Sequence, residues 1–224
     1  DQLDLNWQRL ILTHLAEKTH VGVLTGAPIT DLHITLLAGR AHVKHTEGGD
    51  FREATYRAVR NGLMQADSVL LEPYYTFRLE LPEDCVGRAM TDVQRMDGTF
   101  DAPEQTAAGA VLTGRAPVAS MRNYWTEVAA YTKGRGRLSC VPDGYAPCHN
   151  AAQVIEAMGY DPTRDVENTP DSVFCAHGAG YVVKWDEVRA HAHVDPGMRL
   201  EAEPESDTAP MFRPGSSTAG VADE

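Results

Sequence analysis

Apolar positions recur along the chain at spacings that mark helices and strands in a definite order. Trp7, Leu10, Ile11, His14 and Leu15 fall at i, i+3, i+4, i+7 and i+8, one face of a helix, and Asp4 or Asn6 stands where a cap takes up its first free amides. Beyond the Gly26 and Pro28 breaks, residues 31–38 alternate and are rich in Ile, Thr and Leu, which predicts a strand. Residues 40–45 are its expected hairpin partner across Gly39. Asp50 followed by Glu53 reads as a capping-box start, and Phe51, Ala54, Ala58, Val59 and Gly62 form the stripe of a second helix ending near Ala66, with charge on its other face.

A new unit begins at Leu70. Tyr75, Phe77, Leu79 and Leu81 share one face of a strand over 74–81. Pro82 opens a helix whose first turn carries Glu83 and Asp84, favourable at the positive end of the dipole, with Val86, Met90 and Val93 as its apolar stripe. Phe100 and the 110–116 run are expected to be strands separated by a loop around 103–106. A helix over 118–131, stopped by Gly134, and a closing strand over 137–141 follow. The order β-α-β-β-α-β is that of a ferredoxin-like domain. Short helices are expected over 150–159 and 185–193, joined by a polar connection over 161–171. Beyond Met198 the chain has almost no core-forming residues, so disorder is expected. The fold class is therefore α+β.

Composition narrows the chemistry. No apolar run approaches the roughly 18 residues a membrane span needs, and residues 1–6 have neither Met nor a basic n-region, so they read as a cut end. Four scattered cysteines, Cys85, Cys140, Cys148 and Cys175, fit a reducing, cytoplasmic setting; Cys85 and Cys140 lie inside expected elements and read as small core residues. The net charge of -12 argues against generic, salt-driven nucleic-acid binding, DNA included. The charge is uneven, however. Residues 201–224 hold six acids and one Arg, whereas residues 40–60 hold five Lys or Arg against three acids.

Enzyme chemistry finds little support. A phosphate-cradling loop needs Gly-x-x-x-x-Gly-Lys-Ser/Thr, and neither the Gly48, Gly49 pair nor the Gly178, Gly180 stretch has the Lys in place. Cys175 and His177, with His191 and His193 repeating the spacing, make a weak metal pattern. Alternate residues share a face on a strand, but the two histidines diverge on a helix, so a part-buried Cys and surface histidines are the plainer reading. No Cys and His pair carries a local signature of a thiol enzyme. No catalytic residue and no metal site is expected.

The stretch 70–93, LLEPYYTFRLELPEDCVGRAMTDV, resembles the opening of the last domain of elongation factor G and its relatives in Leu71, Glu72, Pro73, in the Pro82, Glu83 helix start and in Gly87. Residues 114–147 are similar to the same domain's second half in Pro117, Tyr124 and the run Thr132, Lys133, Gly134, Arg135, Gly136. Upstream, 26–63 resembles the preceding domain, and Asp50, Phe51, Arg52 resemble a helix start of the tetracycline ribosomal protection proteins. The resemblance implies a partial ribosomal-protein-S5-like domain over 1–69 whose leading strands are missing. A ferredoxin-like domain over 70–147, an extension over 148–198 and a disordered tail over 199–224 would follow.

It also implies the C-terminal portion of a GTP-hydrolysing translation factor, cytoplasmic and monomeric. Its partner would be the ribosome, with small-subunit rRNA near the decoding centre contacted by the loop His42, Val43, Lys44, His45, Thr46 and Glu47. Lys133, Arg135 and Arg137 would make a second contact. GTP and Mg are expected only in an N-terminal domain, and no cofactor in this chain. The family's Tyr-Ser-Pro-Val-Ser type of loop tip is not matched. Lys44 suits phosphate contact and His42 or His45 stacking, both sequence-tolerant.

Overall fold

The computed structural model describes residues 3–41 and 46–192, which form two compact units, one of the described residues before Leu70 together with those after Ala151, and one of Leu70–Ala151. The expected tail over 199–224 lies outside the described residues, as does His193.

In the first unit, α1 (Leu5–Glu17) is capped by Asp4, whose carboxylate accepts the Asn6 amide at 2.8 Å. Its inward face buries Ile11 and His14, and Trp7 stacks on Phe51 of α2 (Gly48–Gln65) with ring centroids 4.6 Å apart. The helix α2 begins earlier than expected. Asp50 is the third helical residue and accepts the Glu47 amide at 2.9 Å, so the box pairs Glu47 with Asp50, while Glu53 pairs with Arg57 one turn on at 3.5 Å. The expected stripe is also displaced: Phe51, Thr55, Arg60, Leu63 and Met64 are buried, whereas Ala54, Ala58 and Gly62 face solvent. Arg60 tolerates burial because its guanidinium donates to the carbonyls of Val21 (2.7 Å) and Gly22 (3.3 Å) and to the Tyr160 hydroxyl (2.5 Å).

The hairpin expected over 31–45 is not formed in its described part. Residues 31–41 contain no strand, and Leu32, Ile34 and Leu37 are exposed. Alternation marks a surface suited to a sheet, but a strand exists only where a neighbour supplies its ladder. The nearest pairing is one bridge, Val21 with Pro28.

The second unit is antiparallel throughout. Strand β1 (Leu71–Leu81) leads through a 3-10 turn (Glu83–Cys85) into α3 (Val86–Arg95), then β2 (Thr99–Phe100), β3 (Glu104–Thr106) and β4 (Gly109–Pro117). Two short helices, α4 (Val118–Met121) and α5 (Tyr124–Tyr131), replace the single expected helix, and β5 (Arg137–Pro147) closes the sheet. The order is β2-β4-β1-β5, with β3 folding back on β4 where the sequence predicts a loop. Phe77, Leu79 and Leu81 pack against Ala89, Val93, Met121, Tyr124 and Val128 on one sheet face, with Cys85 and Cys140 at the edge of this core. Burying side chains of that size contributes about 1.5–3 kcal/mol each. The architecture is α+β with a ferredoxin-like second unit, as the element order predicts.

The chain from residue 152 returns to the first unit. After α6 (Ala151–Met158), the hairpin β6 (Ser172–Ala176) and β7 (Ala179–Val183) and the turn of α7 (Val188–His191) complete it. Polar side chains hold this segment to α2: Arg57 donates to the Asp171 carbonyl and Asn61 to the Trp185 carbonyl, each at 2.7 Å. Trp185 also covers the small core of Val23, Leu63 and Met64.

Candidate functional site

Of the expected loop contacts, His42, Val43, Lys44 and His45 lie outside the described residues. Thr46 and Glu47 are described, and Glu47 serves as the N-cap of α2. The loop therefore ends where a capped helix begins, which anchors its C-terminal side through the Trp7–Phe51 stack one turn further on.

The second expected contact sits where α5 ends. The Lys133 amide donates to the Ala130 carbonyl at 3.3 Å and the Gly134 amide to the Ala129 carbonyl at 2.8 Å, the paired bonds of a Schellman close. The sequence points to Gly134 for the left-handed position just beyond the helix. Lys133 takes it instead with φ 55°, and Gly134 follows with φ 77°. Thr132 locks the turn from inside: fully buried, its hydroxyl donates to the Val128 carbonyl at 2.6 Å and accepts the Gly136 amide at 2.8 Å. A side chain at Gly136 would meet Val128 at 2.7 Å.

The two glycines and the Thr are thus explained by backbone geometry, while Lys133, Arg135 and Arg137 are exposed. Among the described residues Lys133 and Arg137 form no ion pair, whereas Arg78, Arg95 and Arg115 pair with Glu80, Asp92 and Asp143. Arg137 stands opposite Glu80 on the sheet face away from the core. Trp125, 61% exposed on α5, escapes a sequence reading because a single aromatic off the Tyr124–Val128–Tyr131 stripe carries no periodic signal.

Among the described residues Cys175, His177 and His191 join no group of three metal ligands. Cys175 is exposed on β6, and His177 occupies the hairpin turn at φ 51°. His191 packs against Phe174 and Tyr181 with ring centroids 5.9 and 6.4 Å away. A different trio, Glu72, Cys148 and His149, brings its ligand atoms within 4.8 Å of one another. Sequence reasoning misses it because its members lie at opposite ends of the unit and meet only through the Leu71–Pro147 pairing.

A cleft of about 190 Å³ in the first unit is lined by Lys18, Tyr56, Arg57, Arg60 and Glu167 among others. Its cations already donate to main-chain carbonyls, Lys18 to Glu167 and Arg57 to Asp171. Beside it the Tyr56 hydroxyl, then His14, hold the Glu17 carboxyl below its ordinary range. Of the glycines weighed for phosphate binding, Gly48 and Gly49 open α2, and Gly178 and Gly180 belong to the β6–β7 hairpin.

Two family models match the sequence: that for elongation factor G, domain IV, over residues 2–67, and that for the elongation factor G C-terminus over residues 69–155. Elongation factor G 2 of Streptomyces coelicolor is 34% identical over 125 residues, 56% of this chain and 18% of that protein. Tetracycline resistance protein TetP of Clostridium perfringens is 34% identical over 151 residues, 67% of this chain and 23% of that protein. The chain thus spans about a fifth of the length of these relatives. A crystal structure of a Thermus thermophilus protein shares the fold over 70% of this chain and 24% of its own, with TM-score 0.58 at 24% identity.

Proposed function

Since the chain belongs to the elongation factor G family, carrying its domain IV and its C-terminal domain, we propose that it is the ribosome-binding portion of a ribosomal protection GTPase of the tetracycline-resistance type. The observation that carries this reading is the uninterrupted match of both domains in family order, with the likeness to TetP extending over more of the chain than that to elongation factor G 2.

In this reading the chain performs no chemistry. GTP hydrolysis belongs to the longer cytoplasmic parent and times docking and release. The loop from His42 to Glu47 enters small-subunit rRNA near the decoding centre, Lys44 meeting phosphate and His42 or His45 stacking on a base. Lys133, Arg135 and Arg137 make a second phosphate contact, which the unpaired state of Lys133 and Arg137 among the described residues supports.

A second reading, an elongation factor G-like factor without resistance activity, is favoured by the absence of the Pro-bearing tip at His42–Thr46 and by the equal identity to elongation factor G 2. Expression of the full-length protein in a tetracycline-sensitive host separates them. Raised tolerance that Lys44→Glu with His45→Ala abolishes supports the first; unchanged susceptibility with intact ribosome binding supports the second.

A further inference from the structure

We propose that Glu72, Cys148 and His149 form a divalent-metal site, selective for zinc, that fastens the first strand of the Leu70–Ala151 unit to the end of its last. Nothing in the ribosome-binding reading requires it, and it stands or falls separately.

The donor set is the first support. A thiolate, an imidazole nitrogen and a carboxylate oxygen together suit zinc better than the all-oxygen preference of Mg or Ca. All three donor atoms lie within 4.8 Å of one another, and tetrahedral zinc needs donor-to-donor edges of roughly 3.3–3.8 Å. Glu72 Oε1 and His149 Nδ1 now share a hydrogen bond at 2.6 Å. Seating the ion at Nδ1 therefore opens that contact by about 1 Å, moves the proton of the neutral imidazole from Nδ1 to Nε2, and releases the Cys148 thiol proton.

Burial is the second support. Glu72 is 7% and Cys148 8% exposed, and the His149 side chain 19%. Glu72 forms no ion pair with Lys or Arg among the described residues; Arg115, the nearby cation over the Tyr74 ring at 4.4 Å, is committed to Asp143 at 2.6 Å. The thiol donates to Asn150 Oδ1 at 3.3 Å and the carboxylate is held by the His149 amide and ring, but neither has a Lys or Arg ion pair among the described residues, and a dication would supply that positive charge.

The outer partners are the third. The second ring nitrogen of His149, Nε2, faces Asp97 Oδ2 at 3.8 Å, longer than a hydrogen bond, so Asp97 orients a metal-bound imidazole once it closes by about 1 Å. Glu72 Oε1 is steadied by the His149 amide at 2.8 Å, and the Cys148 amide is tied to the Leu70 carbonyl at 2.8 Å. Three protein donors leave the fourth position to water.

The test is cobalt and zinc titration of the purified, metal-stripped chain. Cobalt is expected to bind at one equivalent with a thiolate-to-metal charge-transfer band in the near ultraviolet, displaced by zinc, and zinc is expected to raise the melting temperature. Cys148→Ser removes the band, His149→Ala weakens affinity about 100-fold, and Asp97→Asn about 10-fold as a positioning residue. Cys175→Ser leaves the band unchanged. Because Cys148→Ser could disturb folding, His149→Ala is assayed alongside it, with circular dichroism reporting the fold of each. Undiminished cobalt affinity in a folded His149→Ala variant, loss of the band in Cys175→Ser, or no binding by the wild-type chain overturns the site.

Discussion

Lys133 offers the sharpest test, because one side chain holds a strained backbone position and carries a charge with no ion-pair partner among the described residues. A non-glycine residue at φ 55° crowds its Cβ against the following carbonyl, which costs about 1–2 kcal/mol. Lys133→Gly removes that strain but gives the unfolded chain additional freedom, which returns about 0.4–1 kcal/mol. The net expectation is stabilisation of about 0.5–1 kcal/mol. For a unit the size of Leu70–Ala151 that raises the melting temperature by about 2–8 °C. Lys133→Ala keeps the Cβ and its strain, so its melting temperature stays near that of the wild type. Both variants lose the same charge, and each should weaken ribosome binding and lower the slope of log affinity against log salt by about one phosphate contact. Calorimetry and salt-dependent pelleting read the two effects separately. If Lys133→Ala stabilises as much as Lys133→Gly, the strain account is wrong; if neither changes the salt slope, Lys133 touches no phosphate.

Two further outcomes follow from local geometry. A Cβ at Gly114 would lie 2.1 Å from the Thr99 carbonyl oxygen, so Gly114→Ala must push β2 from β4 and destabilise the second unit by about 1–3 kcal/mol, measured by urea unfolding. Asp165 is held at about 2, chiefly by the Tyr160 hydroxyl (2.7 Å) and then by the Asn168 amide (2.9 Å). The unfolded chain takes up that proton near pH ~4. The contribution of Asp165 is thus fully present above about pH 4 and is lost as pH falls to about 2. Asp165→Asn should flatten stability over that interval in an acid titration followed by circular dichroism.

The second unit was legible because its signals are local. Alternation at Tyr75, Phe77, Leu79 and Leu81, the Pro82 helix start and the glycines after α5 each act within a few residues, and the strand order then follows from pairing rules. The first unit was less so. Counting Ala54, Ala58 and Gly62 as apolar shifts the α2 stripe, since small residues satisfy a hydrophobic pattern without having surface worth burying. Arg60 is buried for its hydrogen bonds to Val21, Gly22 and Tyr160, contacts that no periodicity encodes. The alternation over 31–38 is real, but strand formation depends on a partner that sequence spacing does not reveal. Of the candidate site, the cations of the 133–137 turn are singled out through the resemblance of that run to the family, whereas the Lys133 conformation and the Glu72, Cys148, His149 cluster carry no local signal.

The central claim is that this chain grips small-subunit rRNA through the loop carrying Lys44 and His45. Co-sedimentation of the purified chain with isolated small ribosomal subunits tests it most directly, comparing the wild type with Lys44→Glu, His45→Ala at equal fold content. The account predicts that the wild-type chain pellets with the subunits and that the double variant stays largely in the supernatant. Equal pelleting of the two would contradict it.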